Sequence, residues 1–371
     1  MTNTNNIENG LPWFTYSGKD RDVVISSRVR LARNLANFPF PLRFQRDDRE
    51  RVQAIIFDAF SKINDSKDNG NFYAIDSKSL APLSAQILEE RGAKKSLAEK
   101  RAMHLLAESG IVMSADGKIC CTVNATDHLH IAHFSSGLNF RESYKECSRI
   151  DNALQKHLQI AANYDFGYLC ATMRNTGSGM KLSARIHTPA IIHSGRFQAI
   201  IDYLKSNGVS LMPAFPEVSP QNAAGGFFQI ANTSALNGSE IDQIATMESI
   251  CKYIAESERK ILKNFADNKP TVIRNSILRA YSISKFSMLI SLREAIDIIS
   301  DIKFGVQLNL VKGIDIDELC SLLYRVQNGQ LLYLMENGSF DFEKDIENNQ
   351  TIKLDRLRAV ILQEAFAKIT L

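Results

Sequence analysis

The hydrophobic period changes along this chain, and that change constrains the fold more than any single motif. Between about residues 72 and 235 the apolar residues fall in short blocks: FYAID, ICCTV, DFGYLCAT, MKLSARIHTPAII, GVSLMP and GFFQIAN. Blocks of this length, bounded by Gly, Asn and Pro, read as strands. Several sit as hairpin-like pairs and not at the spacing of strand–helix–strand units, which predicts a largely antiparallel sheet. Elsewhere the period is helical. DDRERVQAIIFDAFSKI carries Val52, Ile55, Ile56, Ala59 and Phe60 on one face, and helices are also predicted over 140–162, 195–206 and 239–266. RDVVISSRVRLARNL begins as a strand and runs into a helical register, and 61–70 reads as a polar loop. ADNKP at 266–270 reads as a linker, and beyond it the chain is almost wholly helical. There Met288, Leu289, Leu292, Ala295, Ile296 and Ile299 repeat at helical spacing. Asp315 and Glu318 form a capping-box pattern, Asn328-Gly329 reads as a stop, and a last helix is predicted over 352–368. The predicted class is α+β: a largely antiparallel β-sheet flanked by helices in residues 1–267, then a smaller all-α domain in 268–371.

Composition narrows the function. A net charge of +3 is too small to imply a nucleic-acid partner. No run of eighteen apolar residues exists, which predicts no membrane span. MTNTNNIENGLPWF lacks the basic and apolar regions of a secretory signal. Six cysteines, Cys120, Cys121, Cys147, Cys170, Cys251 and Cys320, lack CxxC or Cys/His zinc spacing, so reduced thiols in the cytoplasm and no metal site are expected.

Three stretches offer chemistry. Arg28 and Arg30 lie two apart in a strand pattern, so their forks share a face that suits a polyphosphate or lies solvated at the surface. NTGSGMKLSARIHTP combines Gly177, Ser178 and Gly179 with Lys181 and Arg185; it suits an anion, or is a hairpin turn entering a strand. VNATDHLH follows a strand pattern and presents Asp127, His128 and His130. With His133 the spacing is HxHxxH, poor for one metal site on one element. Neither GxxxxGK[ST] nor G-x-S-x-G occurs.

Taken together, WFTYSGKDRDVVISSRVRLARNL, GYLCATMRNTGSGMKLSARIHTPAII and GGFFQIANTSALNGSE resemble the bacterial protein-arginine kinases, relatives of the phosphagen kinases. The C-terminal stretches NSILRAYSI and EAIDIISDIKFGVQLNLVKGI are similar to the helices of that family. The resemblance implies transfer of the ATP γ-phosphoryl group to arginine in proteins, with ATP and Mg²⁺ as cofactors. It places phosphate and nucleotide binding at Ser26, Ser27, Arg28, Arg30, His130, Lys181, Ser183 and Arg185, and the catalytic turn at Asp127 and His128. It also implies a protein substrate or regulatory partner, a zinc-binding activator protein and a homodimer.

The departures concentrate in that turn. Where the family carries Asn-Glu-Glu-Asp-His-x-Arg, this chain has Asn124-Ala125-Thr126-Asp127-His128-Leu129-His130. The catalytic glutamate falls on Thr126 and a phosphate-binding arginine on His130. The cysteine beside the substrate falls on Thr172, a nucleotide-binding arginine on Lys181, and an ATP-contacting histidine near Gly92. A titratable imidazole and a point-charge ammonium do not reproduce an arginine fork. Asp127 and Glu217 are the carboxylates that would have to stand in. The family's phosphoarginine-binding Arg-Asp-x-x-Arg-Ala falls on Leu354-Asp355-Arg356-Leu357-Arg358-Ala359, keeping Asp355 and Arg358. Two functions follow from the resemblance: a homologue with catalysis impaired, acting through nucleotide, phosphoarginine or partner binding, and an active kinase with a rearranged site.

Overall fold

The computed structural model describes residues 12–45, 47–64, 71–94, 109–215, 223–268 and 270–371. Its main sheet has eight strands: β1 (Val24–Arg33), β2 (Phe72–Asp76), β3 (Gly110–Ser114), β4 (Ile119–Val123), β5 (Leu129–Ser136), β8 (Met180–His187), β9 (Val209–Pro213) and β10 (Phe227–Asn232), in the order β2-β3-β4-β5-β1-β8-β10-β9. A two-stranded ribbon pairs β6 (Ala162–Asn163) with β7 (Gly167–Tyr168). The predicted antiparallel sheet flanked by helices is present. The chain packs as two compact units, one of residues 1–18, 26–183 and 231–249, the other of 19–25, 184–230 and 250–371. No helix among the described residues is long and apolar enough to cross a membrane.

In the first unit the register sets the chemistry. β1 pairs with β5 so that Arg28 lies opposite Phe134, Arg30 opposite Ala132 and Ala32 opposite His130. Strand alternation puts Arg28, Arg30 and His130 on one face and Ser27, Val29, Leu31, Ile131, His133 and Ser135 on the other. The helix Phe140–Leu154 covers that second face. It buries Phe140, Ser143, Cys147, Ile150, Asp151 and Leu154, a stripe at helical spacing. Leu31 and Ile131 beneath it and Ile150 on its inner side are fully buried, each worth about 1.5–3 kcal/mol of transfer free energy. RLARN, which reads as helical in register, is strand as far as Arg33, because the ladder to β5 continues to Leu129.

Arg33 then fixes the strand end. Its buried guanidinium holds Asp151 through both oxygens, at 2.8–3.1 Å, and donates to the carbonyls of Ala32 and Ser178. Tyr168 lies over it at 3.5 Å. Gly179 passes so close, at φ +67°, that a Cβ there would sit 2.5 Å from Arg33 Nη1. The turn GSG is therefore pinned to β1 by Arg33 donating to Ser178 O and by Ala32 N donating to Gly179 O, with the buried Asp151 pair holding Arg33 in place.

The second unit contains the C-terminal helices Thr271–Phe286, Leu292–Gln307, Ile316–Arg325, Asn328–Asn337 and Gln350–Ala365. The capping box forms, with the Asp315 side chain accepting from Glu318 N. Leu292–Gln307 is almost entirely buried along its inner side and includes Lys303, whose Nζ donates to Asp22 O and to His187 Nδ1. Asn328-Gly329 does not stop the chain but opens the helix Asn328–Asn337.

Candidate active site

The turn between β4 and β5 is built on Asn124, which adopts φ +55°, a conformation Asn tolerates better than most residues. Its amide donates to His128 O, and its side chain donates to Arg49 O and Ser109 Oγ. The turn is then tied to β1 through Asn34. Asn34 Oδ1 accepts from His128 N, and Nδ2 donates to Asp127 Oδ1 at 2.8 Å. Nothing in the sequence beyond an Asn just past the strand pattern signalled this role.

Asp127 is fully buried. Oδ1 also accepts from Ala171 N at 2.7 Å, and Oδ2 faces His130 Nε2 at 3.1 Å. Burial opposes its charge, but the bonds from His130, Ala171 and Asn34 prevail and hold its carboxyl well below the usual range. His130 is pushed down by burial and by the charge of Arg30, while its contact with the Asp127 carboxylate opposes that shift. Its Nδ1 lies 3.4 Å from Thr122 Oγ1.

His128 is placed differently. Nδ1 accepts from Leu35 N at 2.9 Å and Nε2 faces Pro39 O at 2.8 Å. The ring stacks on Phe44, centroids 5.2 Å apart. Both nitrogens are committed to backbone, so His128 positions the turn and has no nitrogen left for proton transfer.

Arg28 donates from Nε to Ser183 Oγ at 3.2 Å and from Nη1 to Gly92 O at 2.9 Å, and its guanidinium lies over Phe134. Phe134 in turn stacks on Trp13, centroids 5.6 Å apart. Arg30 lies within the field of Asp127, Cys170 and His130, and its buried Nε has no hydrogen-bond partner among the described residues. Cys170 does not replace the lost cysteine as a thiolate: burial, with the charge of Asp127, pushes it up to about 12.

The structure thus brings Arg28, Arg30, Asp127, His130 and Ser183 together in the first unit. Ser26 is buried on the same face of β1. Lys181 is half-buried on β8. Ser27 corrects its expected place: it is on the opposite face, bonded to Ser135 Oγ, Gly137 O and Asn139 N. Arg185 belongs to the second unit, where Nη1 meets Tyr324 OH at 3.0 Å and the guanidinium lies over the Phe215 and Tyr324 rings. Glu217 falls outside the described residues.

This is a cationic face with one buried carboxylate, suited to an anion. The sequence matches the family model described as ATP:guanido phosphotransferase, C-terminal catalytic domain, over residues 51–261. Residues 270–370 match the C-terminal domain of the protein-arginine kinase McsB. A protein-arginine kinase of Syntrophomonas wolfei is 31% identical over 325 residues, 87% of this chain and 89% of that protein. The chain belongs to the protein-arginine kinase family. A second protein-arginine kinase, from Symbiobacterium thermophilum, is 31% identical over 341 residues, 92% of this chain and 95% of that one. Among solved structures, a lombricine kinase aligns with a TM-score of 0.54 at 16% identity, covering 68% of this chain and 70% of that one. At that identity the likeness speaks for the fold alone.

The stretch Leu354–Ala359, which the resemblance sets against a phosphoarginine-binding motif, differs in arrangement from an open anion site. Arg358 is 1% exposed and turned inward. It donates to Val326 O, Ile290 O, Asp355 Oδ1 and Asn328 Oδ1 at 2.6–2.9 Å. A guanidinium with these partners holds helices together and does not offer its fork to a phosphoryl group. Leu354, in place of the first arginine, is buried beside it.

Proposed function

We propose that this chain is a protein-arginine kinase homologue that retains nucleotide binding but is impaired in phosphoryl transfer, acting through what it binds. The observation that carries this is the state of Asp127. Three of the roughly four acceptor positions of a carboxylate are filled by Asn34, Ala171 and His130, and the group is fully buried. Arginine is held by carboxylates and must lose a proton as it is phosphorylated, which its high pKa makes demanding. Thr126, where the family keeps its glutamate, supplies only a hydroxyl. Losing one preorganised electrostatic partner raises a barrier by about 2.7–4 kcal/mol, or a factor of about 10²–10³. Arg28 and the Nε of Arg30, which has no hydrogen-bond partner among the described residues, support retained anion binding. Among the described residues no three His, Cys, Asp or Glu side chains converge on a metal position, so Mg²⁺ would be held chiefly by phosphate oxygens and water.

One observation favours the second reading, an active kinase with a rearranged site: the Asp127–His130 pair at 3.1 Å supplies a carboxylate and an imidazole together. Purified protein with ATP-Mg²⁺ and an arginine-rich protein separates the two. The expected outcome is ATP binding that Arg28→Ala weakens, with negligible transfer that Thr126→Glu raises. Clear phosphate transfer by the unaltered protein, abolished by Arg28→Ala, overturns the impaired reading.

On this reading the partners are proteins, with a zinc-binding activator protein and a second copy as the assemblies to test. Six buried free thiols support a reducing, cytoplasmic setting. A catalytic part in residues 1–267 and a helical part in 268–371 belong to this reading: the two family matches, 51–261 and 270–370, lie on either side of that division, although residues 19–25, 184–230 and 250–267 pack in the same compact unit as the C-terminal helices.

A further inference from the structure

The first unit carries a cleft of about 530 Å³ on the sheet face opposite Arg28 and His130, within the range of small-molecule sites. His133 projects into its wall from β5, with Trp13 and Tyr16 on one side and the first turns of the helix Phe140–Leu154 on the other. His133 is 6% exposed.

A chain of hydroxyls fixes which nitrogen of His133 carries its proton. Ser27 Oγ donates to Gly137 O and accepts from Asn139 N. With its one proton used, its contact with Ser135 Oγ at 3.1 Å requires Ser135 to donate. Ser135 then accepts from Ser143 at 2.8 Å, and Ser143, its proton also used, accepts from His133 Nδ1 at 2.9 Å. His133 is therefore the Nδ1–H tautomer. Its Nε2 is left as a bare acceptor, with no partner among the described residues, in a ring that lines the cleft.

The charges around it point the same way. Lys118 lies 3.5 Å from Asp116, and Arg149 lies 2.9 Å from Glu146. Among the described residues Glu142 has only Lys145 of its own helix, at 3.8 Å, and its side chain is 52% exposed. The wall thus offers an acceptor nitrogen and a weakly paired carboxylate beside the apolar surfaces of Trp13 and Phe72. No three metal-ligating groups converge here among the described residues. We propose that this cleft binds a small organic cation, an amine or guanidinium on a short apolar chain, donating an N–H to His133 Nε2 with its charge toward Glu142. Burial pushes His133 down to about 4, so the ring is a neutral acceptor throughout the physiological range. The site stands whether or not phosphoryl transfer occurs at Asp127.

The test is a titration of the ¹⁵N-labelled full chain with agmatine, followed through the imidazole nitrogens. The free protein is expected to show the Nδ1–H tautomer of His133. Agmatine is expected to shift Nε2 and the Trp13 indole, with affinity reduced about tenfold or more in Glu142→Gln and lost in His133→Phe. Glu142 lies on the exposed side of its helix, so its variant keeps the test valid if His133→Phe fails to fold. An Nε2–H tautomer in the free protein overturns the proposal. So do shifts confined to His130 and Ala171, an unmoved His133 at millimolar agmatine, or an affinity indifferent to Glu142→Gln.

Discussion

Replacing Arg358 by Met tests whether the C-terminal motif grips a ligand or the protein itself. The change preserves most of the side chain's length and removes every donor. Val326 O, Ile290 O and Asn328 Oδ1 lose a partner in the interior, and Asp355 loses its cation. Buried acceptors left unpaired cost about 1–3 kcal/mol each, although carbonyls with a second lone pair fall at the low end. Asp355 is 27% exposed, so water recovers part of its loss. The sum is about 3–5 kcal/mol, the range for breaking a buried pair from one side. With a urea dependence of about 2–3 kcal/mol per molar, the unfolding midpoint followed by the helical circular dichroism signal falls by about 1–2 M. Arg358→Lys is expected to recover little, because an ammonium cannot span four divergent acceptors. An unchanged midpoint, together with loss of phosphoarginine binding, would refute the reasoning and restore Arg358 as a ligand residue.

Other outcomes follow from the active-site face. Asp127 has a folded pKa below its unfolded value of about 3.9, so its contribution is complete above that pH and is lost as pH falls below it. Stability measured from pH 7 to 3 should therefore drop more steeply in the unaltered protein than in Asp127→Asn, and parallel curves would contradict the assigned bonds. Gly179→Ala places a methyl 2.5 Å from Arg33 Nη1 and 2.6 Å from Ala32 O at a left-handed φ, and should destabilise the protein by at least about 1–3 kcal/mol in urea unfolding.

Much of the fold was legible because strand and helix periods are local. FYAID, ICCTV and GFFQIAN are strands, and the helix expected over 239–266 is observed as Glu240–Asn268. The misses came from contacts distant in sequence. Met288 and Leu289 fit a helical spacing, but the helix begins only after Ser291, whose hydroxyl accepts from Glu294 N, and both residues are exposed. The helix expected over 140–162 ends at Leu154, and the following residues turn toward the β6–β7 ribbon. Asp355 and Arg358 look like a surface pair at i, i+3; the carbonyls that draw Arg358 inward lie 32 and 68 residues away. The separation of Ser27 from Arg28 and Arg30 was within reach, since odd and even residues of one strand cannot share a face. Asn34 and Ala171 were not, because hydrogen bonds that converge on Asp127 from other segments leave no periodic trace.

The stack of Trp13 on Phe134 beneath Arg28 gives the chain a built-in optical probe. Trp13 is the sole indole in the sequence, so its emission has a single origin. An anion that draws the Arg28 guanidinium away from Phe134 alters the field one ring from that fluorophore. The same indole borders the cleft on the opposite face, so a cationic ligand there is sensed by the same signal. Fluorescence is thus expected to report occupancy on either side of the sheet, and the Arg28→Ala and Glu142→Gln variants would assign each change to its face.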